Sequence, residues 1–294
     1  MRINPKRSPA FVLMPVLGAM LMACAGRAAM KPDETARAEG TARLLLDVVS
    51  DTEAGVVAVI DHDRWLLPYP EGEAVANQLG ESRPPYTLLP SVSGGTVAPL
   101  NGALQGSIRN NCGELYAALP TALPFGFAVA GVTPSIRFAA LSPASAGPRE
   151  IAAVTAIVKA QSGVEITPSI QAVYSVDLDD NGAPEVIVQA THPDLETDFP
   201  DYKPEYHSLI VVLPDHPGAQ PVSTGYVRGA DPNGGFEVFA LDAVADVDSD
   251  GKLELLVRGR HNEGTQTLIY RYDGSVKEVF RTAGGEGTCE GMSE

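Results

Sequence analysis

Short apolar runs separated by turn-forming residues recur along most of the chain. Between residues 41 and 142 the runs are LLLDVV, GVVAVI, RWLLPY, YTLLP, GTVAPL, FGFAVAGV and SIRFAAL. They are divided by segments such as PEGE, ESRPP and SVSGG. Runs of this length bounded by Pro, Gly and Ser are typical of strands. The pattern therefore predicts a mainly β protein in which residues 41–147 form a β-rich N-terminal unit.

Helical spacing of apolar residues is clear in one segment, residues 148–163. The apolar positions recur there at three- and four-residue steps: Ile151, Val154, Ile157 and Val158. Pro148 lies near the first helical position and Gly163 follows the last, as at many helix ends. The spacing predicts a connecting helix over 148–163. A second, short helix is compatible with residues 71–79, and residues 110–124 with a helical turn or a loop held by Cys112.

The C-terminal region, residues 164–289, is an internal repeat. The first copy reads IQAVYSVDLDDNGAPEVIVQATH, then YHSLIVVLP, then PVSTGYVRG; the second reads FALDAVADVDSDGKLELLVRGRH, then TQTLIYRYDG, then VKEVFRTAG. Each copy offers four candidate strands in the same order, and residues 193–205 are an insertion in the first. Antiparallel units of this length build propeller blades. We expect a pair of blade-like β units, too few to close a propeller.

An acidic loop lies between the first two strands of each copy. Carboxylates on alternate residues, followed by a glycine that reverses the chain, are typical of loops that surround a hard cation with oxygens. The predicted ligands are the side chains of Asp177, Asp179, Asn181 and Glu185 in the first loop and of Asp246, Asp248, Asp250 and Glu254 in the second, with the carbonyls of Ala183 and Lys252. Up to two Ca²⁺ ions are expected, the first loop being weaker because it has one carboxylate fewer. The alternative is that Asp, Asn and Gly are simply good turn formers.

The residues after each loop distinguish it from an EF-hand. An EF-hand needs a glutamate at position twelve, on a following helix. Here position twelve is Val188 or Val257, within the apolar runs VIVQA and LLVRG. The motif instead resembles the calcium loops of FG-GAP/VCBS-type repeats, as in integrin propeller blades. That resemblance implies a ligand loop joining two antiparallel strands.

A second resemblance covers residues 148–289, about half of the chain. A helix, an acidic hairpin, the strand YHSLIVVL, a second acidic hairpin, the stretch HNEG through YRYDG and a C-terminal cysteine follow one another in that order. The succession resembles a set of bacterial lipoproteins of unknown activity. Asn181 in place of Asp and the inserted loop are departures from their pattern. The resemblance implies a calcium-stabilised extracytoplasmic module and no particular reaction.

The first 24 residues are typical of an export signal. A basic start precedes the apolar run FVLMPVLGAMLMA, which is too short to span a bilayer comfortably. Leu21-Met22-Ala23-Cys24 resembles the bacterial lipobox, which implies lipidation of Cys24 and a membrane anchor. Because Ala25 is not Asp, the family rule implies the outer membrane, with the protein facing the periplasm or the exterior. We expect a signal peptide over 1–23, a tether over 24–40 and a tail over 290–294.

The net charge bears on the class of partner, and the cysteine count bears on disulfide bonding. The chain carries a formal net charge of −16, which argues against nucleic acid. With Cys24 lipidated, Cys112 and Cys289 remain as an even pair in an oxidising compartment, and we expect a disulfide between them. Two free thiols are the alternative. An unknown protein or glycan is the expected partner, besides the membrane itself.

Two functions are compatible with these features. The first is a non-enzymatic binding or structural module braced by calcium at the cell envelope. The second is a calcium-stabilised secreted hydrolase whose site lies within residues 41–147. The stretch Asp61-His62-Asp63-Arg64-Trp65 puts an imidazole between carboxylates, as acid–base catalysis requires, although such a run is more often a polar strand end. The stretch Ser91-Val92-Ser93-Gly94-Gly95 is read as a loop, because residue 91 is Ser where a nucleophile elbow requires Gly. The first function is preferred.

Overall fold

The computed structural model describes the chain in segments. They are residues 42–62, 64–92, 101–111, 113–120, 123–131, 136–139, 141–163, 167–192, 207–214, 222–223, 238–261 and 264–282. The predictions for Cys24, Cys112 and Cys289, the tether, the inserted loop and the tail lie outside these residues. The described segments contain mostly antiparallel strands and two helices. The mainly β fold class predicted from the sequence is confirmed.

The N-terminal region forms one large antiparallel sheet, with strands of different lengths, and one helix. Its elements are β1 (Arg43–Val48), β2 (Glu53–Asp61), β3 (Arg64–Leu66), α1 (Glu73–Ser82), β4 (Pro85–Leu88), β5 (Asn101–Ala103), β6 (Arg109–Asn111), β7 (Glu114–Ala118) and β8 (Gly126–Gly131). The sheet order is β5-β4-β8-β1-β2-β7-β6, and β3 pairs with the free part of β2. The short helix that is compatible with residues 71–79 is present as α1, with the bounds Glu73–Ser82.

Residues 110–124 differ from the expectation of a helical turn or loop. Asn111 pairs with Glu114 and Arg109 with Tyr116, so β6 and β7 form a hairpin. In β7 the buried residues alternate, with Leu115 and Ala117 inside. Burial on every second residue is strand periodicity, and the pairing of β7 with β2 extends the large sheet.

The connecting helix and the two repeat copies follow. The short strand β9 (Ser142–Pro143) precedes α2 (Pro148–Ser162), which ends with Gly163 in the left-handed conformation as predicted. The first copy contains β10 (Ser169–Val176), β11 (Glu185–His192), β12 (His207–Leu213) and β13 (Val222–Ser223). The second contains β14 (Val238–Ala245), β15 (Glu254–His261), β16 (Gly264–Tyr272) and β17 (Val276–Arg281). Each copy is a four-stranded antiparallel meander, and β9 adds a fifth strand to the first.

Buried apolar side chains join these layers. One cluster combines residues of both repeat sheets, including Leu178, Ile187, Leu255 and Tyr272. A second joins the large sheet to the second copy, and a third lies between α2 and the first copy. Neither described helix is long and apolar enough to cross a membrane. Because the first of these clusters includes residues of β10 and β14, the strands that lead into the acidic loops are held in a packed interior.

Candidate metal centres in two hairpin loops

Each acidic loop connects two antiparallel strands of its copy. We call residues 177–185 the first acidic loop and residues 246–254 the second. The first follows β10 and closes where Val176 pairs with Glu185; the second follows β14 and closes where Ala245 pairs with Glu254. Each loop leads into a buried strand and not a helix, as the sequence predicted.

The two loops use the same hydrogen bonds at equivalent positions. In the first, the N–H groups of Leu178, Gly182 and Ala183 donate to Glu185 Oε2 (2.8 Å), Asp177 Oδ2 (2.9 Å) and Asn181 Oδ1 (2.7 Å). In the second, the equivalent bonds join Val247 to Glu254 Oε2 (3.0 Å), Gly251 to Asp246 Oδ2 (3.2 Å) and Lys252 to Asp250 Oδ1 (2.8 Å). The sequence repeat is therefore also a repeat of local structure.

Glycine is required in both loops by backbone conformation and not by space. Gly182 has φ +85° and Gly251 has φ +89°, in the left-handed region. A Cβ added at either position would meet nothing within 4 Å. Because L side chains rarely adopt this conformation, glycine makes the reversal inexpensive and lets the backbone N–H groups turn towards the carboxylates.

Three carboxylates converge in each loop. One oxygen each from Asp177, Asp179 and Glu185, and likewise from Asp246, Asp248 and Glu254, lie within 4.8 Å of one another. Each cluster contains at least one buried carboxylate and could bind a metal ion, although Asp179 of the first is exposed. Of the remaining predicted side-chain ligands, Asp250 is not a member of the second cluster, and both Asn181 and Asp250 accept backbone hydrogen bonds through Oδ1.

Both clusters contain a buried carboxylate oxygen that lacks a hydrogen-bond partner. Glu185 is fully buried, and its Oε1 accepts no hydrogen bond from the described residues. Asp246 is 8% exposed, and its Oδ1 likewise accepts no hydrogen bond from the described residues. A buried polar oxygen without a partner is costly unless a ligand satisfies it. The donor set of both loops thus fits a hard cation.

Burial and mutual repulsion raise the pKa values of these acids. Burial is the main cause for Glu185, with the charges of Asp179 and Asp177 adding to it. The pKa of Asp246 is raised in the same way, by burial and then by Asp248 and Asp250. The pKa of Glu254 rises to about 8, because of burial and the Asp248 charge. A bound cation would oppose all of these shifts by stabilising the ionised forms.

A guanidinium group enters the second cluster. Arg271, on β16, lies opposite Glu254 in the sheet. Its Nε donates to Glu254 Oε1 (2.9 Å), its Nη1 lies 3.0 Å from Asp250 Oδ2, and its Nη2 contacts Asp248 Oδ2. Burial lowers the pKa of Arg271, but the three carboxylates outweigh burial and raise it.

Two further arginines attach the loops to the rest of the fold. Arg137 contacts Asp180 of the first loop and donates to the Gly251 carbonyl of the second (2.8 Å), so it bridges the two loops. Arg43, on β1, donates to the Val247 carbonyl (3.0 Å). Its pKa is lowered by burial despite the nearby Asp246 and Asp248 charges. In the described part of the chain, both arginines act on Asp246 through charge alone, without an ion-pair contact to either carboxylate cluster.

A tyrosine of the second copy faces the first loop. Tyr272 is buried, and burial together with the charges of Glu185 and Asp179 raises its pKa to about 12. Proximity of the Glu185 carboxylate to the Tyr272 hydroxyl also contributes to this shift, although neither that hydroxyl nor Glu185 Oε1 makes a hydrogen bond of normal geometry among the described residues. The first site is therefore built from both copies of the repeat.

Sequence reasoning found the acidic residues and missed the groups around them. Arg271 and Tyr272 lie in the stretch YRYDG, which carries the family resemblance, but nothing in the stretch shows that it meets the acidic loops. Arg137 lies in a segment predicted only as a strand. Pairing of that segment with β14, through Phe138 and Ala245, brings it beside both loops.

The acid–base candidate of the N-terminal region is a local contact. His62 Nδ1 lies 2.8 Å from Asp61 Oδ1 at the turn between β2 and β3. These residues are adjacent in the chain, and half of the His62 side chain is exposed. Asp63 and Ser93 lie outside the described residues. No described observation favours a hydrolytic site over a polar hairpin turn here.

Fold and site together define a β-rich protein with a repeated, carboxylate-lined hairpin loop in its C-terminal half. Comparison with known proteins found no matching family model, no matching curated protein and no matching solved structure. The features of this protein that bear on function are the geometry of the two loops and the sequence motifs.

Proposed function

We propose that this protein is an extracytoplasmic calcium-binding lipoprotein that serves as a non-enzymatic binding or structural module of the cell envelope. One observation carries the calcium part. Three carboxylates converge in each of two equivalent hairpin loops, and a buried oxygen in each cluster is without a hydrogen-bond partner. Such a site gains most from a cation that accepts many oxygen ligands.

Calcium suits the donor set better than magnesium. Ca²⁺ takes six to eight oxygens in flexible geometry, whereas Mg²⁺ requires near-ideal octahedral geometry and retains waters. Here carboxylates, an amide side chain and backbone carbonyls occur close together on one short loop, as in the proposed ligands Asp177, Asp179, Asn181, Ala183 and Glu185. The loop is anchored in a sheet, so binding would hold strands β10 and β11 together at their turn.

The cell-envelope part rests on the N-terminal sequence. The apolar run and the lipobox-like Leu21-Met22-Ala23-Cys24 support export and lipidation of Cys24. A protein or glycan bound by the loops and strand edges is the proposed partner. Incorporation of a labelled fatty acid into the protein, lost in Cys24→Ser, tests the anchor; equal labelling of both would refute it.

Calorimetric titration with Ca²⁺ tests the calcium part. The wild-type protein is expected to bind Ca²⁺, and a double variant with Asp179→Asn and Asp248→Asn is expected not to bind it. Asp273→Asn is a matched control, because Asp273 lies in another hairpin turn and bonds Lys277 (2.8 Å) instead of joining a cluster. Absence of binding in the wild type, or equal binding in the double variant, would refute the proposal.

A further inference from the structure

We propose that the two acidic loops have different roles: Arg271 fills the cation position of the second loop, and the first loop alone holds the calcium ion. This inference rests on the proposed calcium-binding function. It reverses the ranking that carboxylate number suggests, in which the second loop is the stronger site. The side chain of Arg271 is only 21% exposed and acts as a built-in cation for its loop.

In the second loop, Asp246 Oδ1 lacks a partner among the described residues, but the oxygens of the other two carboxylates all accept hydrogen bonds. Asp248 Oδ1 accepts from the Asp250 N–H and Glu254 Oε2 from the Val247 N–H. The other oxygens, Asp248 Oδ2 and Glu254 Oε1, both accept from Arg271. The planar, five-donor guanidinium matches carboxylates arranged in this way. A metal ion would have to displace it from both.

In the first loop the equivalent oxygens remain available. Asp179 Oδ1 accepts from the Asn181 N–H (3.2 Å) and Glu185 Oε2 from the Leu178 N–H (2.8 Å), as in the second loop. Glu185 Oε1 has no hydrogen-bond partner among the described residues, although the Tyr272 hydroxyl lies near Glu185, and no ion pair is seen there for the exposed Asp179. Arg271 occupies the counterparts of Glu185 Oε1 and Asp179 Oδ2 in the second loop. The first cluster therefore has three carboxylates and no cationic side chain from the described chain.

The sheet register explains why only one copy has the arginine. Arg271 lies opposite Glu254, one step beyond the pair Leu255–Tyr270. In the first copy the ladder ends at Val186–Leu213, so the position opposite Glu185 belongs to Pro214. Proline offers no charge and no side-chain donor. A single difference between the copies thus separates an internally neutralised loop from one that needs an external cation.

Calcium titration of single-loop variants tests this division. The wild type is expected to bind one Ca²⁺; Asp179→Asn should abolish binding, whereas Asp248→Asn, its equivalent in the second loop, should leave stoichiometry and affinity within about twofold. Arg271→Gln should bind two ions. Arg258→Gln is the matched control and should still bind one, because Arg258 is 22% exposed and bonds Asp242 and Asp47 outside the loops.

The outcomes separate this inference from the proposed function. Two ions in the wild type, lost one by one in Asp179→Asn and Asp248→Asn, would leave the calcium function intact and overturn the division. One ion lost in Asp248→Asn but not in Asp179→Asn would also overturn it, and so would a stoichiometry of one in folded Arg271→Gln. No calcium in the wild type would refute both proposals. The two aspartate variants decide the matter even if Arg271→Gln fails to fold.

Discussion

Replacement of Glu185 by glutamine is expected to change stability in opposite directions with and without calcium. Glu185 is fully buried, and its raised pKa shows that the folded protein disfavours its ionised form even with the hydrogen bond from Leu178. Glutamine keeps the shape and the acceptor but carries no charge. In chelator at pH 8, the free energy of unfolding of Glu185→Gln should therefore exceed that of the wild type.

Calcium should reverse this order. A ligand at 100 times its dissociation constant stabilises the folded state by about 2.7 kcal/mol, which corresponds to a rise in Tm of roughly 5–10 °C for a protein of this size. The wild type should gain this amount, whereas Glu185→Gln, which lacks the charge that the ion needs, should gain little. The curves of Tm against calcium concentration for the two proteins should cross.

Thermal unfolding followed by circular dichroism, in chelator and along a calcium series, measures both effects. Glu185→Ala should be less stable than the wild type in both conditions, because it leaves the buried Leu178 N–H unpaired at a cost of about 1–3 kcal/mol. Glu150→Gln is the control, since Glu150 accepts one backbone N–H, from Gly147 (2.8 Å), away from the loops. If Glu185→Gln merely lowers Tm by the same amount in both conditions, Glu185 is a structural residue and the reasoning is refuted.

Three other predictions concern the fold itself. Burial raises the pKa of Asp47 to about 6 from 3.8, so the native state holds its proton more tightly, and this group's contribution to stability falls by up to about 3 kcal/mol as pH rises from 4 to 7. In urea unfolding, the free energy of unfolding of Asp47→Asn relative to the wild type should rise across that pH range. A difference between the two proteins that does not change with pH would contradict the raised pKa of Asp47. Gly182→Ala should cost about 1–2 kcal/mol because of its positive φ, whereas Gly55→Ala, with equal space and no positive φ, should cost clearly less in the same assay. Leu255→Ala removes a fully buried side chain between the repeat sheets and should cost about 2–5 kcal/mol with or without calcium; a loss confined to chelator would assign Leu255 to the metal site instead.

Local features of the fold were accessible from the sequence because each depends on nearby residues. The helix α2 (Pro148–Ser162) follows from apolar spacing and from its Pro and Gly ends. The four strands of each copy follow from apolar runs between turns. The hairpin β6–β7 was not predicted, because the stretch around Cys112 is short and polar on one side. Its strand character comes from pairing of β7 with β2, which is distant in sequence.

The candidate sites also combine local features that the sequence predicted with surroundings that it did not. The acidic side chains and the reversing glycines lie within nine consecutive residues, and a strand follows directly, so the sequence predicted two loops of the same kind, the first with one carboxylate fewer. The environment of those loops is not local. Tyr272 approaches the first loop because the two repeat sheets share one core, and Arg137 reaches both loops because its segment pairs with β14.

The sequence by itself determined that this is a β-rich protein with a twice-repeated acidic hairpin loop, since periodicity and turn chemistry act over a few residues. Only the tertiary structure decided that an arginine enters the second loop and not the first. Arg271 meets Glu254 because β15 and β16 pair in one particular register, while the same register in the first copy presents Pro214. Charge neutralisation depends on which side chains strand pairing brings within bonding distance, and composition alone does not contain that information.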